Sequence, residues 1–508
     1  MFGKTFTSRR KFLSLTVGGI GVTLALAACG AATPTAAPPK PTEAPKPAAP
    51  AAAAPPPAAP ATTAPAPAAA AAKPAEAAKP TEAPKPAAPA APAAAAVAPA
   101  TGASKGKVTI WQGQDYILEV TGLMKTVMEA SAKKNNIEFV FEEKTGAWND
   151  QLLASVQAGT PPDIHRVFDY QAQYWRGQNQ SVEVTDVIGK LRPQEGGFYD
   201  YIGAADSWQG KWWAVPMAIN AWPLHVRQDL LDAKGLKWPK DWEEFRTTAK
   251  AIQNPPNLYS FGFTLGKTND TNNHFIALLW TFGGQLQTED GKFAATAGDK
   301  SWLEALKITK AMFEEDKIIP PGAVTWGDGD NNNGYQAGQL FATSNPTSIY
   351  TWLLKNNKPE ILKGTKFYPY PKGPAGEFGQ VDVWANIIFK ASKSQDAAKM
   401  ILEDFSSPAT YRKYIGDLQG RFLPVYKNLL DDPMWKGNPL YEQYTTIAKN
   451  GRIMSHAASP TAPYGDVTTN FLIGDMMQDL LVKKQTPEQV LSAFVSRAKP
   501  IYDKYPNL

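Results

Sequence analysis

From about residue 105 onward the chain switches repeatedly between the two hydrophobic periods. Val108 to Trp111 is rich in strand-forming residues, and Gly122 to Lys134 places Leu123, Val127, Met128 and Ala132 on one helical stripe. Ile137, Phe139 and Phe141 then alternate with Glu138 and Val140 as a second strand. Asp150 to Ala158 reads as a helix closed by Gly159-Thr160-Pro161-Pro162, and Asp163 to Phe168 as a third strand. The order β-α-β-α-β predicts an open parallel sheet. Ligands of such sheets sit in the crevice beyond the carboxyl ends of the strands. The turns expected there carry Trp111, Gln112, Gln114 and Asp115, then Lys144 and Trp148, then Asp169 and Tyr170, so aromatic faces and hydrogen-bonding groups occur together at all three.

The first 104 residues follow neither period. Ser8-Arg9-Arg10-Lys11-Phe12-Leu13 precedes an apolar run from Leu15 to Ala28 that is shorter than the ~20 residues a spanning helix needs. The paired arginines resemble a twin-arginine export signal, and Leu26-Ala27-Ala28-Cys29 resembles the lipobox of bacterial lipoproteins, which implies acylation at Cys29. Residues 1–28 are therefore expected to be an export signal, and the protein to lie outside the cytoplasm, held to the membrane by buried lipid chains. Residues 29–104 are expected to form a disordered stalk. Residues 31–104 hold 20 of the 44 prolines and no aromatic residue, and KPTEAPKPAAPA at 40–51 recurs unchanged at 79–90. Proline at that density prevents an alanine helix, and without large apolar side chains nothing offsets the entropy of ordering.

Composition narrows the chemistry of residues 105–508. All 15 tryptophans lie there. Of the 52 Lys and Arg, nine precede Lys105, as do three of the 47 Asp and Glu, so the remainder carries one net negative charge and no basic nucleic-acid footprint. The lone cysteine excludes an internal disulfide and a cysteine-based metal site. His165, His225, His274 and His456 form no His-x-x-x-His pair, and no Gly-x-Ser-x-Gly elbow or phosphate loop occurs. No metal or cofactor is expected. The run Asp328 to Gly334 alternates Asp, Asn and Gly but lacks the closing Glu of a calcium loop, so a solvated turn is expected.

Several segments, taken in order, resemble extracellular solute-binding proteins of the sugar-type ABC importer class. They are Trp213-Ala214-Val215-Pro216, His225 to Leu231, Pro239 to Phe245, Phe282 to Leu286, Gly338 to Phe341, Val381 to Lys393 with the Asp396–Phe405 helix, and Gly420-Arg421-Phe422-Leu423-Pro424. His225-Val226-Arg227 departs from the family pattern, where Tyr-Tyr-Asn is usual. The resemblance covers about residues 107–505. It implies an α/β, two-lobed periplasmic-binding-protein-like fold over residues 105–508. Each lobe would be a mostly parallel sheet flanked by helices, with discontinuous lobes and a first crossing near 215–220. It also implies a binding function without catalysis, ABC permease subunits as partners, a mono- or oligosaccharide ligand, and a monomer. Sugars present C–H faces to aromatic rings and hydroxyls to polar side chains. The expected ligand-binding set is Trp111, Gln114, Asp115, Trp148, Asp169, Tyr170, Asn220, Trp222, Ser344, Asn345, Trp384 and Asn386, with Trp222 foremost. Trp242 and Trp302 fall on helical stripes and are expected in the core. A secreted carbohydrate-active enzyme with paired carboxylates, and a surface adhesin or sensor lipoprotein, are the alternatives.

Overall fold

A computed structural model describes residues 105–508 except 147, 457–458 and 506–508. The expected signal, Cys29 and the Ala/Pro-rich stalk lie outside the described residues. Two sheets, each with its own apolar core, organise the rest. The first is ordered β2-β1-β3-β11-β6, from β1 (Lys107–Gly113), β2 (Glu138–Lys144), β3 (Ile164–Phe168), β6 (Val215–Ala221) and β11 (Val381–Ile388). β1 pairs parallel with β2 and β3, so the opening β-α-β-α-β is present as read. β11 returns from far along the chain and pairs antiparallel with both β3 and β6, which makes this sheet mixed. A hairpin of β4 (Ser207–Trp208) and β5 (Lys211–Trp212) stands apart.

The second sheet is ordered β10-β7-β9-β8, from β7 (Leu224–Arg227), β8 (Tyr259–Gly262), β9 (Leu340–Ser344) and β10 (Thr365–Tyr368), with only β8 and β9 parallel. The chain thus leaves the first sheet at Ala221 and enters the second at Leu224, one residue past the expected crossing. It returns through β11, and the closing helices Ala462–Thr469, Leu472–Leu481 and Pro487–Asp503 pack into the second core, so both lobes are discontinuous.

Amphipathic patterning explains most helices. In Leu118–Lys134 the buried positions are Val120, Thr121, Met124, Met128, Ser131 and Ala132, a stripe that starts a turn earlier than expected and leaves Leu123 and Val127 partly buried at its margin. Trp302 and Trp242 are core residues, their indole N–H groups donating to the Gln285 carbonyl at 3.1 Å and the Thr281 hydroxyl at 2.9 Å. The Asp/Asn/Gly run is a helix, Asp330–Gln336, rather than a solvated turn; Asn331 and Asn332 are buried because their amides bond β9 and Ser348.

Candidate functional site

The carboxyl ends of β1, β2 and β3 and the start of β11 converge on one edge of the first sheet, facing the end of β9 and two helix starts of the second lobe. Between them lies a cavity of about 460 Å³. Its first wall carries Gln114, Asp115 and Tyr116 after β1, Lys144 at the end of β2, and Arg166 and Phe168 from β3. Asn220 from β6, Asp382 and Trp384 from β11, and Arg421 complete that wall. The second carries Asn269, Asp270 and Asn273 from the helix Asn269–Thr281, Asp328 and Asn332, and Asn345 directly after β9. Trp222 stands where the chain passes between the sheets.

The first wall is built around charge. Arg421 grips Asp115 with both arms, Nε to Oδ1 at 3.0 Å and Nη2 to Oδ2 at 2.9 Å, and its Nη1 donates to Asn220 at 3.1 Å. Both members of this ion pair are nearly inaccessible to solvent. Asp382 accepts from Asn220 Nδ2 at 2.9 Å and from the Trp222 indole at 2.5 Å. Burial pushes the Asp382 carboxyl up to about 6 against those two bonds and the nearby arginines, which pull it down. Arg166 lies flat on the Trp384 ring, 3.6 Å from its centroid, and Arg421 approaches the same ring at 5.5 Å. Burial lowers the Arg166 guanidinium to about 10, so it is charged at neutral pH.

The second wall is built from amides and a helix start. Asp328 Oδ1 accepts from the Asp270 backbone N–H at 3.0 Å, placing a carboxylate on the positive end of the Asn269–Thr281 helix. Asn345 Nδ2 donates to Asn332 Oδ1 at 2.5 Å and reaches Asp270 Oδ2 at 3.4 Å. Burial raises the Asp270 carboxyl well above its ordinary value, and the Asp328 charge adds to that. The walls meet where the Tyr116 hydroxyl lies 2.7 Å from both Asn333 Oδ1 and Gln336 Oε1, and where the Thr347 hydroxyl donates to the Arg421 carbonyl.

Seven of the twelve expected binding residues line this cavity: Gln114, Asp115, Trp148, Asn220, Trp222, Asn345 and Trp384. The other five do not. Trp111 lies under the Lys144 ammonium, 3.6 Å from its ring centroid, and packs against a small cluster with Val167 and Trp175. Asp169 starts the helix Asp169–Gly177 and turns into the interior, where burial and the Asp382 charge hold its carboxyl well above the usual range. Tyr170 stacks behind Phe168 and bonds Asn269 at 2.6 Å, so it supports a lining residue without reaching the cavity. Ser344 is the last residue of β9 and fully buried, its carbonyl accepting from His274; the wall begins one residue later. Asn386 lies within β11, opposite Arg166 and closed off from solvent. Tyr116, Arg166, Asp270, Asp328, Asp382 and Arg421 also line the cavity, without being among the residues expected there from the sequence. Period-two alternation was a usable signal for two of them, since it puts Asp382 on the face of Trp384 and Arg166 on that of Phe168.

Among the described residues no group of His, Cys, Asp and Glu has metal-holding geometry, and no helix is long and apolar enough to cross a membrane.

Two lobes with an aromatic and polar cavity between them define a ligand-capturing protein. The family model for bacterial extracellular solute-binding proteins matches residues 126–443, and the chain belongs to that family. A curated binding protein of Brucella abortus (strain 2308) is 26% identical over 302 residues, covering 58% of this chain and 69% of that protein. Among solved structures, maltose-bound MalE3 of T. maritima aligns with a TM-score of 0.68 at 20% identity, covering 78% of this chain and all of that one. A solute-binding protein of Agrobacterium radiobacter K84 in complex with ribitol gives 0.68 at 18% identity, over 78% and 99% of the two chains. These likenesses establish the two-lobed periplasmic-binding-protein fold. Family and fold are those of substrate-binding proteins, not enzymes.

Proposed function

We propose that the protein is a lipid-anchored extracytoplasmic receptor that captures a mono- or oligosaccharide in the interlobe cavity and delivers it to the permease subunits of an ABC importer. The observation that carries this reading is the composition of the cavity: the rings of Trp148, Trp222 and Trp384 share it with Asp, Asn and Arg side chains fixed by their own hydrogen bonds. Aromatic faces match sugar C–H surfaces, and the fixed polar groups match hydroxyls. The proposed contact set is Gln114, Asp115, Trp148, Asn220, Trp222, Asn345 and Trp384, with Asp382, Arg421 and Asp270 added. Solved relatives in complex with maltose and ribitol support the ligand class. Lobe closure around the ligand shifts the population towards a form that the permease distinguishes, with the receptor acting as a monomer and without turnover.

The anchor rests on Leu26-Ala27-Ala28-Cys29 after the twin-arginine-like start, and the Ala/Pro-rich residues 29–104 act as a tether. A thermal-shift screen against neutral and acidic saccharides, with product analysis alongside, tests the function. Stabilisation without product supports the receptor; released product establishes the enzyme instead, and no response to any saccharide removes the sugar reading. Metabolic fatty-acid labelling of the wild type and Cys29→Ala tests the anchor: loss of label in the variant is the expected result, and retained label would overturn it.

A further inference from the structure

The cavity divides its charge by lobe. All three lining cations, Lys144, Arg166 and Arg421, belong to the first wall, whereas the second wall presents two carboxylates, Asp270 and Asp328, and no cation. The three cations differ in what already neutralises them. Arg421 is held bidentately by Asp115, and Lys144 lies 2.6 Å from Glu142 and over the Trp111 ring. Arg166 feels the Asp115 and Asp382 charges but has no carboxylate within 4 Å among the described residues; its one hydrogen bond there, Nη2 to the Gly113 carbonyl, is long at 3.4 Å. Arg166 is 6% exposed, and the face of Trp384 holds its guanidinium at the cavity wall. Asp382, the other carboxylate of that wall, already accepts from Asn220 and Trp222.

A buried cation with unused donors is costly unless an anion meets it. A guanidinium presents donors in a fork that suits a carboxylate bidentately. We infer that the ligand is an acidic saccharide, a uronic or aldonic acid, whose carboxylate is met by Arg166 while its hydroxyls donate to Asp270 and Asp328 across the cavity. The inference rests on the saccharide reading given above and adds the charge of the ligand and the residue that selects it. Arg166 is the specificity-determining group, and Trp384 sets its plane. The acidic pair Asp270 and Asp328 offers acceptors for ligand hydroxyls and no cation for a carboxylate, so the second wall favours the orientation in which the carboxylate faces Arg166.

The test is calorimetric titration of the protein with matched pairs that differ only in the oxidation state of the carboxylate carbons, one carbon in glucuronate with glucose, galacturonate with galactose and gluconate with sorbitol, and two in digalacturonate with its neutral disaccharide. At least one acid is expected to bind about tenfold or more tighter than its neutral partner, the scale that separates charge-assisted from neutral hydrogen bonds. Arg166→Gln is expected to weaken that acid by about 30-fold or more, as for removing one partner of a buried charge pair, while changing the neutral partner's affinity much less. Arg166→Lys is expected to restore part of the loss. Equal or tighter binding of the neutral members by the wild type overturns the inference and leaves the saccharide reading standing. An equal loss for acid and neutral ligands in Arg166→Gln overturns the role of Arg166. Binding of no member overturns the saccharide reading itself. The wild-type comparison needs no variant to fold.

Discussion

The two walls of the cavity solve the same problem with different materials. On the first, strand ends deliver ionised groups, and each is fixed by another charge or an aromatic face: Arg421 by Asp115, Arg166 by Trp384. On the second, the start of a buried helix and a short Asn-rich helix deliver amides and carboxylates whose order comes from backbone N–H groups and neighbouring amides. The first wall is therefore rigid and electrostatically committed before any ligand arrives. The second is a hydrogen-bonding surface whose contact with the first rests on a few links, Tyr116 to Asn333 and Gln336 among them. A receptor that closes by rotating one lobe against the other needs such an asymmetry, with one side fixing the pose and the other completing the enclosure.

The sharpest break of that comparison is at the Asp115–Arg421 pair. Asp115→Ala strands a buried guanidinium, and the expected cost is about 3–5 kcal/mol by denaturant unfolding. A cost below about 1 kcal/mol, the scale of an exposed pair, would show that this ion pair does not hold the first wall together. On the boundary between the walls stands Trp222, buried and bonded to Asp382. Trp222→Ala is expected to cost about 3 kcal/mol or more in stability, together with loss of ligand-induced stabilisation. Trp148, only half-buried, separates the two effects: Trp148→Ala is expected to weaken binding with a smaller change in the unliganded melting temperature.

Asp382 supplies a pH signature for the first wall. Its folded value of about 6 lies above the ordinary aspartate value, so the folded state holds the proton more tightly. Its contribution is most favourable below pH 4 and is lost as pH rises from 4 to 6, by up to about 3 kcal/mol. Relative to wild type, Asp382→Asn should remove that downward component of the stability profile in the same window. Parallel profiles for the two proteins would contradict the burial argument. The smallest effect is expected at the link between walls. Tyr116→Phe removes the hydroxyl shared by Asn333 and Gln336, and ligand affinity should fall by about fivefold, the scale of one net hydrogen bond.

The same asymmetry decides what could be read from the chain. The first wall comes from strand-end turns, and hydrophobic alternation located β1, β2 and β3 closely enough to bring Gln114, Asp115 and Trp148 into view. It failed by one residue at Ser344 and Asn345, where only the true end of β9 decides which side chain reaches the cavity. Asp169 and Tyr170 were misplaced because a helix begins directly after β3 and turns both inward. The second wall was nearly illegible. Asp270 lies on a helix whose residues are all buried, so it lacks a polar face to mark it, and the Asp328–Gly334 run looks like solvated loop until tertiary bonds bury Asn331 and Asn332. Arg421 pairs across 306 positions with Asp115, a relation that no local pattern carries.

Capture of a saccharide between these walls is decided by calorimetric titration of wild-type protein and Trp384→Ala with the neutral and acidic saccharide panel. Trp384 lines the cavity and carries the Arg166 plane. One-to-one binding of a saccharide by the wild type is expected, weakened by at least about tenfold in the variant, the scale of one lost ring contact and its cation–π partner. Equal affinity in the two proteins, or no saccharide binding by the wild type, would contradict it.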